Sequence, residues 1–264
     1  MNENEILALL NSKHYKENYT PKKENDILSI GGATIGTRGN FIVYSGLPKA
    51  GKTTFLAAAI ASAISKKTIY QQTMNLSGGG IALFDTESNE SDFYNNLNRI
   101  KNIASIKKFP ANFSAFFTRE FSSEITRVLI EFYISKQLPA VVIVDGFLDL
   151  INNYNNETES KIIIDWLKRI SAQYNVLIIG VIHLGKRDGH TLGHFGSMID
   201  RYAQSVLSVS RDDENRNIYT LSAKYLRSAA VWFEDINIEF TGLTYEEIYM
   251  NKPPPAAQKN KRQR

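Results

Sequence analysis

Phe41-Ile42-Val43-Tyr44-Ser45-Gly46-Leu47-Pro48-Lys49-Ala50-Gly51-Lys52-Thr53-Thr54-Phe55-Leu56-Ala57-Ala58-Ala59 changes character twice. Its β-branched and aromatic start reads as a buried strand, and its alanine-rich end reads as a helix. The residues between, Gly46 to Thr53, suit one task. Glycines let the backbone curl until successive N–H groups face one anion, and the helix that follows adds the positive end of its dipole. In that frame Lys52 reaches the β- and γ-phosphates of ATP and the Thr53 hydroxyl ligates Mg²⁺, while Gly46, Leu47, Pro48, Lys49, Ala50, Gly51 and Thr54 complete the cradle. A glycine-rich structural turn is the plainer alternative.

Three further runs end on polar groups. Ala140-Val141-Val142-Ile143-Val144-Asp145 is an apolar strand closed by one acid, suited to holding Mg²⁺ through water, although any buried strand can end in a loop Asp. Ile81-Ala82-Leu83-Phe84 leads into Asp85-Thr86-Glu87-Ser88, at the edge where ligands of open α/β sheets gather. Glu87 is thereby placed to orient or deprotonate a water attacking the γ-phosphate. Asp85 is the rival base, and a helix-capping role for Glu87 or Ser88 is the structural alternative. Val176 to His183 brings a histidine to the end of another core strand, where it can touch the γ-phosphate and report its loss to the loop Leu184 to Ser197. Gly185, Gly189, Gly193 and Gly196 give that loop freedom to move. The competing reading is a histidine that only satisfies local backbone groups.

From Phe41 onward, strands at 41–45, 80–85, 113–117, 140–145 and 176–183 alternate with helices at about 52–66, 90–104, 121–137 and 157–174. This predicts an α/β fold, a mainly parallel sheet flanked by helices on both faces. After His183 the runs 205–210, 218–224 and 231–240 are joined by short loops, which suits antiparallel strands at the C-terminal edge. Residues 1–40 read as an N-terminal arm, 41–250 as the domain, and 251–264, opening on Pro253-Pro254-Pro255, as a disordered basic tail.

Composition narrows the chemistry. Of 264 residues, 43% are hydrophobic and 22% charged, which is ordinary for a globular domain. The absence of cysteine excludes disulfides, thiolate metal sites and a cysteine nucleophile, and fits a reducing cytoplasm. The longest apolar run, Phe55 to Ile64, has ten residues, where a membrane span needs about 20. A cytoplasmic protein with no membrane partner is therefore expected. The net charge of +4 owes five positive groups to the tail, so the body is close to neutral and the high pI does not describe a basic domain.

With the four strand ends in order, the chain resembles the RecA-like P-loop ATPase superfamily, and within it the hexameric replicative helicases of the plasmid RepA and DnaB types. The resemblance spans about residues 28–241. Val142 to Ile151 is similar to the Walker B strand of the DnaB type, and Ser222-Ala223-Lys224-Tyr225-Leu226-Arg227 is similar to its last motif. Leu76-Ser77-Gly78-Gly79-Gly80 and His183 before a glycine-rich loop look more like RepA. The resemblance implies Lys52 and Thr53 on phosphate and Mg²⁺, Glu87 as the catalytic carboxylate, Asp145 as the Walker B acid and His183 as the γ-phosphate sensor. It further implies that Lys224 and Arg227 act in trans on a neighbouring subunit's nucleotide. Arg201 is the alternative finger, because Gly193 to Ser197 lacks the arginine that relatives carry there, and a solvated hairpin edge is the structural alternative for Lys224 and Arg227.

Two functions follow. One is a homo-oligomeric, hexameric ring that hydrolyses ATP to move on single-stranded DNA, with Lys186, Arg187, His190 and His194 in the mobile loop. The other is a RecA-like switch ATPase that acts on a protein partner and unwinds nothing.

Overall fold

The computed structural model describes residues 1–17, 26–185, 193–227, 232–242 and 244–249. The elements run α1 (Glu3–Lys13), β1 (Asp26–Ile30), β2 (Ala33–Thr37), β3 (Phe41–Gly46), α2 (Lys52–Ser65), β4 (Gln72–Met74), β5 (Ile81–Asp85), α3 (Glu90–Ala104) and β6 (Phe113–Phe117). They continue as α4 (Ser123–Gln137), β7 (Val141–Asp145), α5 (Glu157–Tyr174), β8 (Leu177–His183), α6 (Gly193–Tyr202), β9 (Ser205–Arg211), β10 (Ile218–Leu226), β11 (Ile236–Phe240) and β12 (Tyr245–Ile248).

Every residue of β3, β5 and β7 is buried, as continuous apolar runs require when both faces of a sheet are covered. They lie in a nine-stranded sheet of order β12-β11-β10-β9-β3-β8-β7-β5-β6. The strands from β9 through β6 in that order pair parallel, and β9 to β12 pair antiparallel. The expected α/β architecture, with antiparallel strands at the C-terminal edge, is thus the one observed. On one face, α2 and α3 bury Phe55, Ile60 and Ile100; on the other, α4, α5 and α6 bury Ile130, Ile134, Ile164, Leu167, Phe195 and Ile199.

The parallel register also places the strand ends. Gly46 stands opposite His183, Asp85 opposite Asp145, and Asp145 opposite Val181. Four strand ends meet at one edge because hydrogen bonding fixes how far each strand runs past its neighbour.

Two expectations are corrected. The arm does not extend to residue 40, since β1 and β2 form a hairpin that bonds to β4 and buries Ile27, Leu28, Ile30 and Ile35. Gly31 and Gly32, at φ +55° and +84°, form the two-residue turn, a conformation that glycine adopts without steric cost. The glycine pair marks a turn between strands rather than a break before the domain. Residues 193–197, assigned to the mobile loop, instead open α6, where Phe195 is fully buried and Gly196 is buried beside it. Gly193 has φ +63°, and a Cβ there would meet Asn155 Oδ1 at 2.3 Å, so this glycine serves close approach. Lys186, Arg187 and His190 lie outside the described residues, as does the tail 251–264. The strand expected over 231–240 is Ile236–Phe240.

Candidate nucleotide site

The loop after β3 is shaped by contacts that its two glycines permit. A Cβ on Gly46 would lie 2.3 Å from the Val209 carbonyl oxygen, and one on Gly51 would lie 2.5 Å from the Tyr219 ring. Gly51 also has φ +96°, and it leads into Lys52, the first residue of α2. No side chain caps that helix and no acid stands in its first turn. Its N-terminal dipole is therefore left for an anion.

Lys52 is buried, and its Nζ donates to the carbonyl oxygens of Gly46 and Leu47, each at 2.9 Å. The same ammonium lies 3.1 Å from His183 Nδ1. An ammonium can only donate, so Nδ1 accepts and the ring proton sits on Nε2. That proton points to Glu87 Oε1 at 2.5 Å. One imidazole thus links the phosphate-loop lysine to the carboxylate of the next strand end. Burial lowers the Lys52 pKa to about 8 against the opposing pull of Glu87 and Asp145. The hydrogen bond from His183 holds Glu87 below the usual carboxylate range despite partial burial.

Asp145 stands next to these groups in a dry place. Burial first, then the neighbouring Asp85 and Glu87, push its pKa up to about 7. Its backbone is fixed by Thr86, whose hydroxyl donates to Asp149 Oδ2 at 2.7 Å and also lies 2.9 Å from the Asp145 carbonyl oxygen. A buried carboxylate raised by other acids is a place that favours a cation, and with the Thr53 hydroxyl it supplies the hard oxygen donors that Mg²⁺ takes. The residues fit that ion.

The rival carboxylate has another task. Asp85 is 1% exposed, and its Oδ1 accepts the backbone N–H groups of Glu87 at 3.1 Å and Ser88 at 2.8 Å. It shapes the turn that presents Glu87. Nor do Glu87 and Ser88 cap α3, because Asn89 does so by accepting from the Asp92 N–H.

Lys49 to Thr54, Glu87, Asp145 and His183 line one cleft of about 220 Å³. Arg99 from α3, Tyr219 from β10 and Tyr245 from β12 line it too. Nothing in the sequence marks these three: Arg99 is one of several charges on a polar helix, and the tyrosines arrive through antiparallel register. The three basic residues assigned to the finger do not line this cleft. Lys224 pairs with Asp200 Oδ2 at 2.8 Å, while Arg201 and Arg227 are exposed. The Arg227 N–H donates to the Gln204 carbonyl, and the Gln204 N–H donates to Phe41 at the start of β3. Arg227 thus stands at the opposite edge of the sheet from its own phosphate loop.

A family model described as AAA domain matches residues 35–189, more than half of the chain. The chain belongs to the AAA domain family. No curated protein shows significant similarity to it. The AAA domain match contains Lys52, Glu87, Asp145 and His183, and it ends before Arg201, Lys224 and Arg227. It identifies the fold as a P-loop ATPase core. Among the described residues of this AAA domain protein, no helix is long and apolar enough to cross a membrane.

Proposed function

We propose that this AAA domain protein is a DNA-translocating ATPase, a ring of identical subunits that works as a helicase or translocase for replication or mobilisation of a plasmid-like element. The observation that carries the reading is the separation of basic residues. Lys52 lies inside the cleft, whereas Lys224 stands outside it on β10 and Arg227 lies at the far end of the same subunit's sheet, out of reach of that subunit's own phosphate loop, a placement suited to a finger that serves another subunit. The likeness of 222–227 to a trans-acting helicase motif supports the same conclusion.

In this reading, incoming phosphates take over the Lys52 ammonium from the carbonyls of Gly46 and Leu47. Thr53 and Asp145 would hold Mg²⁺, which would supply positive charge to the phosphates. Glu87 accepts the proton of the attacking water. His183, which touches both Lys52 and Glu87, reports phosphate occupancy to the carboxylate. The neighbour's Arg227, or Arg201, stabilises charge developing on the transferred phosphoryl group.

A second reading has its own observation. Arg99 already stands in the cleft, so a single subunit holds an arginine where its own nucleotide would bind, an arrangement that suits a switch ATPase working without a ring. One experiment separates them. Arg227→Ala and Lys52→Ala subunits are each expected to be inactive, and mixing them should restore part of the hydrolysis, stimulated by single-stranded DNA. Rescue by Arg201→Ala in place of Arg227→Ala would move the finger. Loss of activity in Arg99→Ala, with no complementation by either variant and no response to DNA, would favour the switch.

A further inference from the structure

The turn after β7 holds a carboxylate that the chemistry described so far leaves without a task. Asp149 sits on a single turn of 3-10 helix, Phe147–Leu150, that follows directly on Asp145 and Gly146. Phe147 and Leu150 are fully buried in the core on the face of α4, α5 and α6, and they anchor the turn. A Cβ on Gly180 of β8 would lie 2.3 Å from the Phe147 ring, so that strand carries no side chain where the ring packs. Arg127 of α4 donates to the Leu150 carbonyl at the end of the turn. A turn held at both ends presents its polar residue in one direction.

That direction is back toward the strand end that carries Glu87. Asp149 Oδ2 accepts from the Thr86 hydroxyl at 2.7 Å, and Thr86 is the residue before Glu87. The hydroxyl has one proton and three acceptors in reach: this carboxylate, the Asp145 carbonyl at 2.9 Å and the Gly146 carbonyl at 3.1 Å. The carboxylate is the nearest of the three and the strongest acceptor, so it takes the proton. Partial burial raises the Asp149 pKa, and the Thr86 hydroxyl opposes that rise, as a donor to the charged form does. The meeting requires Gly146, whose φ is +119°: a Cβ there would stand 2.1 Å from Thr86 Oγ1 and 2.7 Å from Asp149 Oδ2.

The turn that carries Glu87 is held from two sides. On the β6 side, the N–H and the hydroxyl of Thr118 both reach the Asp85 carbonyl, at 2.8 and 3.1 Å. On the β7 side, the backbone contributes the Thr86 N–H to the Asp145 carbonyl at 3.2 Å, the long end of the range. The hydroxyl bond to Asp149 is the second hold on that side. Thr86, Glu87 and Asp149 also line one cavity of about 570 Å³ beside the nucleotide cleft, so the Glu87 side chain faces open space there rather than a packed wall. We infer that Asp149 is a positioning residue for ATP hydrolysis: through the Thr86 hydroxyl it fixes the backbone from which Glu87 reaches the attacking water. The inference rests on the reading of Glu87 as the base. A slack turn leaves that carboxylate present but displaced, which costs rate without costing nucleotide affinity.

The test separates turnover from binding. Asp149→Ala and Thr86→Val should each lower kcat by about tenfold or more, while the KM for ATP and the affinity for a fluorescent ATP analogue change by less than about twofold. Thr86→Ser restores the hydroxyl and should recover most of what Thr86→Val loses. The double variant should be about as slow as the slower single, because both substitutions remove one contact. In a Glu87→Gln background, Asp149→Ala should add little, since the group it positions is already gone. A parent-like kcat in Asp149→Ala overturns the inference. So does a loss that multiplies with that of Glu87→Gln, which makes Asp149 an independent participant, or a fall in ATP affinity as large as the fall in kcat, which makes it a general support of the site. Parent-like turnover in Glu87→Gln removes the base and this inference with it, whereas fast Asp149→Ala beside slow Glu87→Gln removes the inference alone.

Discussion

In the parallel half of the sheet, β3, β8, β7 and β5 end at Gly46, His183, Asp145 and Asp85, and the cleft takes most of its charged groups from these ends or the turns just beyond. In the antiparallel half, β10 gives the cleft Tyr219 and leads at its other end to Arg227, beside the start of β3 and away from the phosphate loop. The first half gathers charge because parallel strands all point their carboxyl ends one way. The second half alternates direction, so a basic residue just past the end of β10 is carried to the opposite edge.

The contrast predicts unequal effects, and the largest belongs to the parallel half. Lys52→Ala should lower hydrolysis by roughly 10³-fold or more with the far-UV circular dichroism unchanged, since the ammonium serves phosphate rather than core packing. Normal phosphate release from that variant would break the comparison at its centre. Glu87→Gln keeps an oxygen for His183 and should retain nucleotide binding while slowing turnover by roughly 10²-fold. An Asp85→Asn variant slower than Glu87→Gln would return the base to Asp85. In the antiparallel half, Lys224→Met should cost about 1–2 kcal/mol of unfolding free energy, because its ion pair with Asp200 is largely shielded from water. Arg227→Ala should leave thermal stability unchanged, so a loss of hydrolysis there would support the proposed action on a neighbour's site.

The smallest effect is expected far from the cleft. Glu131 is held below its usual pKa by Arg169 first and by Trp166 as well. A carboxylate with a lowered folded pKa adds stability above its unfolded pKa and loses it as pH falls through the folded value. Glu131→Gln should cost under about 1 kcal/mol at neutral pH, with the difference from the parent vanishing in acid. Urea titrations at two pH values would show it.

How much could be read beforehand follows the same division. Continuous apolar strands announce themselves, and in a parallel sheet the residue that ends such a strand lands at the ligand edge with no knowledge of register. That is why Lys52, Glu87, Asp145 and His183 were legible. Tyr219 and Tyr245 were not, because their place depends on how β10 pairs with β9 and how β12 pairs with β11. Arg99 looked like any charge on a solvated helix. The β1–β2 hairpin was hidden by the lysine-rich stretch before it, and α6 by its glycines, which had suggested movement until Phe195 proved to be an anchor.

The wedging of the phosphate loop gives β10 one more part to play. Gly51 leaves no gap to the Tyr219 ring, and Gly46 leaves none to Val209 on the adjoining β9. From Tyr219 the chain runs to Arg227 across the whole sheet, roughly 25 Å at the usual rise of a strand. The strand is bonded to β9 and β11 on its two sides, so the clamp at Tyr219 braces the phosphate loop against the sheet itself rather than against a movable side chain.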